Sequence, residues 1–230
     1  MNEDPEGISP GETTGAEPRW RTPERSEMAS AMDDSPSENH RVKRGGDRQA
    51  EGLVVNAREE ARTRTTEQSE VVKWETLLAR AGCGRQVIAH ARAVADLALQ
   101  VAESPLVNRD LVLAGGMLHD VGRGETHGID HAQRGAALAR SFSLDERVVY
   151  IIERHIGAGM TADECSLERI IPRDCIPRTV EEKIVANADN LVHGNRQGTI
   201  EGTLEGAFRL KKRIRRRIYR LYLEMECFRS

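Results

Sequence analysis

Histidines and aspartates that are able to bind metal ions recur next to apolar segments of this sequence. Five of the seven histidines lie between residues 90 and 155. His119 and Asp120, for example, directly follow an apolar stretch that ends at Leu118. Imidazole nitrogens and carboxylate oxygens are ligands for several divalent cations. The residues concerned are His90, His119, Asp120, His131, His155 and Asp189.

Each of these positions, taken alone, has an ordinary structural explanation. A single histidine on an apolar helix face is commonly a hydrogen-bonded core residue, and an aspartate in a helix is usually solvated. The combination is less ordinary, because burial of several unpaired carboxylates and imidazolium groups in one small domain costs free energy. A divalent cation offsets that cost, since it supplies positive charge to neutral imidazoles and ionised carboxylates. The sequence therefore favours a metal site over a set of core histidines.

The segments that carry these residues have the three- and four-residue periodicity of amphipathic helices. Val94 and Val101, for example, follow His90 at helical spacings. The predicted helices cover residues 87–102, 108–118, 130–141, about 146–156, 180–193 and about 199 onwards, and the loop 161–179 is expected to hold one short helix. No strand pattern and no repeat of 20–50 residues is visible, which excludes a solenoid. The predicted fold class is all-α, a helical bundle.

The second predicted helix is nearly all apolar and is therefore expected at the centre of the bundle. Asn108 is expected to cap its N-terminus, because an asparagine side chain accepts a hydrogen bond from a free backbone N–H group. The pair Gly115-Gly116 lacks side chains, so another helix is able to approach closely there.

Residues 1–68 differ from the rest of the chain in composition. Pro, Gly, Ser, Thr, Glu and Arg dominate, and such a segment buries too little apolar surface to offset the entropy lost on ordering. We predict a disordered tail over residues 1–68 and one helical domain over residues 69–228, with a short charged helix at residues 59–70 that leads into the domain. The composition favours a leader without a specific role, including an alternative start at Met28 or Met32, over an interaction tail.

The overall charge balance gives no sign of a nucleic-acid or membrane partner. The chain has 34 basic and 37 acidic residues, for a formal net charge of −3. No apolar run approaches the ~20 residues that span a bilayer, and the N-terminus lacks the basic start and apolar stretch of a secretory signal. The four cysteines are scattered without a C-x-x-C pair, which indicates reduced thiols. These features predict a cytoplasmic protein.

The order of the candidate ligands resembles the H…HD…D signature of the HD-domain superfamily. His90 stands at the first position, the run LHDVGR at residues 118–123 is similar to the "HDIG" motif, and ADNL at residues 188–191 is similar to the closing aspartate motif. The run HAQRGA from His131 and the histidine that ends ERH at residue 155 resemble two further segments of a compact archaeal branch of the superfamily. The resemblance covers residues 85 to 195.

The resemblance implies a helical bundle with two divalent metal ions at its centre. His90, His119, Asp120 and Asp189 would hold the first ion, and Asp120 would bridge to a second ion held by His131 and His155. The two added histidines favour the two-metal form over the one-metal form of the simplest family members. Iron or manganese is favoured on resemblance, while zinc and nickel remain candidates because imidazole and carboxylate suit several ions.

The implied activity is hydrolysis of a phosphomonoester or a cyclic phosphodiester of a nucleotide-like small molecule. Asp120 would hold both ions, and Arg123 would contact a phosphate oxygen through its planar guanidinium group, if it is not an ordinary surface arginine. His127 would act as a general acid or a substrate contact, or else is a solvated loop residue. Similar short proteins include the phosphodiesterase that opens dihydroneopterin 2',3'-cyclic phosphate.

Two alternatives remain open at this point. Some members of the superfamily with the same six ligands are di-iron oxygenases. The run Lys211-Lys212-Arg213-Ile214-Arg215-Arg216-Arg217 is dense enough for phosphate contacts with RNA, although the same helix has an apolar stripe and is equally explained as a solvated outer helix. Nucleic-acid binding is therefore considered but not favoured, and the oligomeric state stays open.

Overall fold

The fold is given by a computed structural model that describes residues 46–229, with side chains from residue 62 onwards. The helices are α1 (Gly46–Arg80), α2 (Arg85–Val101), α3 (Arg109–Leu118), α4 (His131–Ser141), α5 (Glu146–Arg154), α6 (Ala162–Leu167), α7 (Val180–Leu191), α8 (Ile200–Gly206) and α9 (Lys212–Arg229). A 3-10 turn (Val121–Gly124) follows α3, and an antiparallel hairpin of β1 (Val192–His193) and β2 (Arg196–Gln197) follows α7. The predicted all-α fold class is confirmed.

Helix α3 forms the centre of the bundle, as its apolar sequence predicts. Every residue from Leu111 to Leu118 is buried, and α2, α5 and α7 pack around this helix. The two glycines of α3 permit this packing, because a Cβ atom at Gly115 would lie 2.7 Å from Ile151 of α5 and one at Gly116 would lie 2.8 Å from Ala95 of α2. The expected close approach is therefore confirmed on both sides of the helix.

Polar side chains at the helix starts fix where the helices begin. The Asn108 side chain accepts a hydrogen bond from the Leu111 backbone N–H at 3.0 Å, as expected for a cap. Thr161 and Glu164 form a reciprocal capping box at the start of α6, the short helix predicted in the 161–179 loop. Such caps satisfy backbone N–H groups that have no partner inside the helix.

The N-terminal helix begins earlier than the sequence boundary suggests. Helix α1 starts at Gly46, so residues 46–58, expected in a disordered tail, are helical, and the short charged helix expected over residues 59–70 is part of α1. Alanine, arginine and glutamate are strong helix formers, and they are frequent from Ala57 onwards. The end of α1 is anchored in the core by the buried side chains of Trp74 and Leu78. The predicted tail over residues 1–45 lies outside the described residues.

The C-terminal part also differs from the prediction of one long helix from residue 199. Two helices, α8 and α9, replace it, because Gly206 is a poor helix former and the chain turns over residues 207–211. The helix expected over residues 180–193 ends at Leu191, and the small hairpin begins directly after it. The sequence shows no strand pattern there, so it did not predict the hairpin. Gly194 makes the hairpin turn with φ +66°, a left-handed conformation that suits glycine.

Within the part of the chain that the structure describes, none of the helices combines the length and the apolar character that a membrane span needs.

Cys83, Cys165 and Cys175 are buried thiols. Burial raises the pKa of the Cys175 thiol to about 12, so this sulfur is a poor nucleophile at neutral pH.

Substitution of Gly122 should test how tightly the turn after α3 packs on α4. A Cβ atom there would overlap the His131 carbonyl oxygen and lie 2.7 Å from the Gly135 backbone nitrogen. We expect Gly122→Ala to lower the free energy of unfolding by about 2–3 kcal/mol, because neither backbone group is able to move away easily. Chemical denaturation measures this. Gly206→Ala is the matched control, since nothing lies within 4 Å of its Cβ position; equal stability of the two variants would contradict the packing.

Candidate metal centre

Five elements deliver the six candidate ligands to one point in the bundle. His90 lies within α2, His119 and Asp120 directly follow α3, and His131 is the first residue of α4. His155 directly follows α5, and Asp189 lies in the last turn of α7. The bundle therefore places ligands mostly at helix ends, where the helices converge.

The six side chains form one contiguous group around the two aspartates. On one side, Asp189 Oδ1 lies 3.0 Å from His90 Nε2 and 3.5 Å from His119 Nε2. On the other side, Asp120 Oδ1 lies 3.1 Å from His131 Nε2 and 3.7 Å from His155 Nε2. His119 Nε2 lies between the halves, 3.7 Å from Asp120 Oδ2. Two ligand sets suited to a metal ion share His119: His90, His119 and Asp189, and His119, Asp120 and His155.

Each of the four histidines is oriented by a backbone carbonyl group. The Nδ1 atoms of His119, His131 and His155 lie 2.8 Å from the carbonyl oxygens three residues earlier. His90 Nδ1 instead contacts the carbonyl of Gly194 in the hairpin turn, at 2.7 Å. A carbonyl oxygen only accepts, so each Nδ1 must carry the proton and donate it. The Nε2 lone pairs of neutral rings therefore point to the centre, an arrangement typical of metal ligands.

This arrangement fits a cation. His131 Nε2 and His155 Nε2 lie only 3.1 Å apart, and two neutral rings with Nδ1 protonated would face each other there with lone pairs. The buried His119 Nε2 atom has no hydrogen-bond partner among the described residues. Buried polar atoms without a partner cost free energy. A divalent cation that accepts these lone pairs would remove both costs, so the residues present fit a metal.

Several pKa values in the cluster are shifted because its ionisable groups are buried close together. Burial lowers the pKa of His119, but the negative charges of Asp120 and Asp189 raise it more, to about 9. Burial and the neighbouring His119 lower the pKa of His155 to about 4. Burial raises the pKa values of Asp120 and Asp189, yet the histidines around them hold both well below the ordinary range. Both carboxylates are therefore ionised, and one proton on His119 compensates part of their charge.

Comparison with known proteins agrees with this geometry. The sequence model of the HD domain matches residues 87–193, a range that contains all six candidate ligands. An uncharacterized protein of Methanocaldococcus jannaschii is 43% identical over 120 residues, which cover 50% of this chain and 71% of that protein. This chain belongs to the HD-domain family. HD domains bind divalent metals, and the family places the chain among the metal-dependent phosphohydrolases.

Other relatives are longer proteins that match this chain over part of their length. A tRNA (cytidine(56)-2'-O)-methyltransferase of Picrophilus torridus is 44% identical over 48% of this chain and 32% of its own length. A ribonuclease Y of Acidothermus cellulolyticus is 31% identical over 52% of this chain and 21% of its own length. This chain thus spans about a third or less of the length of each of these two relatives.

Among solved structures, the HD domain of the phosphodiesterase PgpH from L. monocytogenes, in complex with cyclic-di-AMP, matches with a TM-score of 0.40. It shares 15% identity over 62% of this chain and 91% of that chain. A likeness of this size carries no argument about function.

Arg123 and His127 are the two further residues predicted to take part in catalysis, and their surroundings differ. Arg123 Nε donates to Asp120 Oδ1 at 3.2 Å, and its Nη1 donates to the His127 carbonyl at 3.0 Å. The Arg123 side chain is 29% exposed, so its remaining N–H groups can reach a ligand. The His127 ring is exposed, and no hydrogen bond to it is found within residues 62–229. The structure therefore brings Arg123 to the cluster and leaves the His127 side chain in solvent.

Sequence reasoning missed the carbonyl groups that orient the ligands. Gly194 contributes one of them, although the sequence suggests only a helix end there. A glycine soon after a helix is the available signal, but its long-range contact with His90 is visible only in the folded chain. Lys183, on the same helix as Asp189, donates to Glu224 of α9 at 2.6 Å. His193 contacts Thr203 at 3.2 Å and stays outside the cluster.

Metal binding to the cluster of six candidate ligands should release a proton from His119. Because the pKa of His119 is about 9 in the metal-free protein, this ring is charged at pH 7, and Nε2 must lose its proton before it binds a cation. The apparent affinity for Mn²⁺ should therefore rise about tenfold per pH unit from pH 7 to pH 9 and level off above that. Calorimetric titration of the metal-free chain, in buffers of different ionisation enthalpy, measures affinity and released protons together.

His127→Ala is the control for this titration, since its exposed ring should not change the slope. An affinity that stays constant between pH 7 and pH 9 would show that the His119 ring does not bind the cation through Nε2.

Proposed function

We propose that the chain is a binuclear metal-dependent phosphohydrolase. The observation that carries the proposal is the position of Asp120, whose two carboxylate oxygens face different histidines. Oδ2 lies 3.7 Å from His119 Nε2, and Oδ1 lies 3.1 Å from His131 Nε2. A carboxylate between two histidine groups suits a bridge between two cations.

The six ligands divide naturally into two sets around this aspartate. His90, His119, Asp120 and Asp189 would hold one ion, and Asp120, His131 and His155 would hold the other. When bound, such a pair of cations supplies a hydroxide nucleophile at neutral pH and neutralises charge on the phosphoryl oxygens. The protein's own contribution is the fixed orientation of each ring through its Nδ1–H bond to a backbone carbonyl.

The exposed edge of the cluster indicates where a substrate enters. The side chains of His90 and Asp189 are 18% and 21% exposed, whereas that of His119 is fully buried. Arg123 lies beside Asp120, its side chain is 29% exposed, and it has N–H groups that do not contact Asp120. A guanidinium group binds phosphate oxygens through two parallel hydrogen bonds. Arg123 would thus hold the phosphate while it meets the metal ligands.

The proposed substrate is a phosphomonoester or a cyclic phosphodiester of a nucleotide-like small molecule. One relative is a ribonuclease Y, and a ribonuclease cleaves phosphodiester bonds. This relative supports phosphodiester hydrolysis as the proposed reaction. We include dihydroneopterin 2',3'-cyclic phosphate as the specific candidate compound, with iron or manganese as the favoured metal. The ligand set, with four imidazoles and two carboxylates, suits either ion.

Removal of Asp120 should abolish both metal content and turnover. We expect Asp120→Ala, purified without oxygen and loaded with Mn²⁺ or Fe²⁺, to lose at least about a thousandfold in kcat/KM, because the bridging carboxylate and the cations act together. His131→Ala should retain about one ion per chain instead of two. Elemental analysis gives the metal ratio, and a panel of 2',3'-cyclic nucleotides, the pterin cyclic phosphate and p-nitrophenyl phosphate gives the activity.

Asp96→Asn is the matched control, because Asp96 lies at an exposed position of the same helix as His90. This variant should have the metal content and turnover of the unchanged chain. Full metal content in an inactive Asp120→Ala variant would contradict the bridging role. Turnover that requires oxygen, with no hydrolysis under anaerobic conditions, would favour the di-iron oxygenase instead.

Substitution of Arg123 should separate phosphate binding from support of Asp120. We expect Arg123→Gln to raise KM for the phosphoester about 10- to 100-fold, since one charge-assisted contact is lost. Metal content and kcat should change little. Arg123→Lys should be intermediate, because an ammonium group keeps the charge but not the planar fork. Steady-state kinetics and elemental analysis check this; a fall in metal content with unchanged KM would show that Arg123 only positions Asp120.

A further inference from the structure

Helix α9 has two opposite faces. Ile218, Leu221 and Met225 are buried and hold the helix on the bundle. At 100° per residue, Lys212, Arg216 and Tyr219 fall on the opposite side, where the residues are exposed. The basic run of this helix therefore forms a surface of its own, away from the apolar contact.

The cations on this surface differ from most other cations of residues 62–229 because they lack acidic partners. Arg213 and Arg217, on the flank of α9, pair with Glu164 at 3.2 Å and 2.7 Å. Exposed arginines elsewhere pair in the same way, as Arg147 does with Asp145. Within residues 62–229, the cations of α9 and the turn before it that form no ion pair are Arg209, Lys211, Lys212, Arg215, Arg216 and Arg220. A local positive field thus exists despite the net charge of −3.

These cations border a groove between α9 and α8. It has a volume of about 630 Å³ and is lined by Leu204, Lys212, Arg215, Arg216, Tyr219 and Arg220. The Nε atom of Arg215 is buried there without a hydrogen-bond partner among the described residues. The cations that line the groove would attract an anionic ligand.

Aromatic rings lie among the cations. Tyr219 is 43% exposed in the groove, and its ring stacks on Tyr222 with centroids 6.3 Å apart. Phe208, before the start of α9, is 63% exposed beside Arg209. Exposed aromatic rings next to arginines are platforms on which unpaired bases stack. An isolated phosphate group would not use such a ring.

The length of the surface indicates a chain of phosphates. Lys212 and Arg220 are eight residues apart, which is about 12 Å along a helix, more than one phosphate group spans. The Tyr219 hydroxyl offers a hydrogen-bond partner to a ribose 2'-hydroxyl, a group that DNA lacks. We propose that the outer face of α9 and its groove bind single-stranded RNA. This binding site is separate from the metal centre and does not depend on the proposed hydrolysis.

The test is RNA binding by the full chain, measured by fluorescence anisotropy with a labelled 16-nucleotide oligouridylate between 50 and 300 mM KCl. Replacement of Lys212, Arg215, Arg216 and Arg220 by Gln should weaken binding at least about tenfold at 50 mM salt. It should also reduce the slope of log affinity against log salt by about 3, as expected for four lost phosphate contacts on a single strand. Metal content should not change.

Replacement of Arg80, Arg140, Arg147 and Arg178 by Gln is the matched control, since it removes the same charge from exposed positions elsewhere. An equal loss of affinity in this control, or no RNA binding by the unchanged chain, would overturn the proposal. Tyr219→Ala should weaken binding about 5- to 100-fold. Tyr219→Phe should keep most of the affinity because the stacking ring remains, but it should lose the preference for RNA over oligothymidylate because the hydroxyl is gone. Equal binding to oligothymidylate would refute the preference for RNA, and binding to phosphatidylserine vesicles in place of RNA would refute the proposal.

Discussion

Two ionised carboxylates face four imidazole rings at the centre of this bundle, and the surrounding helices are arranged around that group. Asp120 and Asp189 would each be costly to bury alone. The nearby rings hold their pKa values far below the ordinary range, so both charges persist inside the protein. The bundle tolerates them because positive charge, from a proton on His119 or from bound cations, lies in the same place.

The helices around this centre are short because their ends supply the ligands. Helices α3 and α5 stop at His119 and His155, and α4 begins at His131. At a helix end the ring is able to turn back to a carbonyl three residues earlier, and all three residues do so at 2.8 Å. Backbone carbonyl groups thereby orient three of the metal ligands, and the helix ends bring these ligands to the centre.

Charge is paired differently inside and outside the bundle. Arg154 and Glu182 form a partly buried ion pair at 2.8 Å, and Arg217 ties α9 to Glu164 at 2.7 Å. These contacts fix the positions of α5, α7 and α9 around the ligands. On the outer face of α9, several cations have no ion pair among the described residues, and there water solvates them and a ligand is able to reach them. The inner acidic centre and the outer basic surface are therefore two distinct features of one small domain.

The sequence by itself determined the all-helical class, the cap at Asn108, the close packing at Gly115-Gly116 and the identity of the clustered residues, because periodicity, capping and motif order are local properties. Only the tertiary structure decided which atoms meet. The contact of His90 with Gly194 joins residues far apart in the chain, and the exposure of the His127 ring depends on how its loop folds. The early start of α1 and the break at Gly206 before α9, in contrast, follow from local helix propensity.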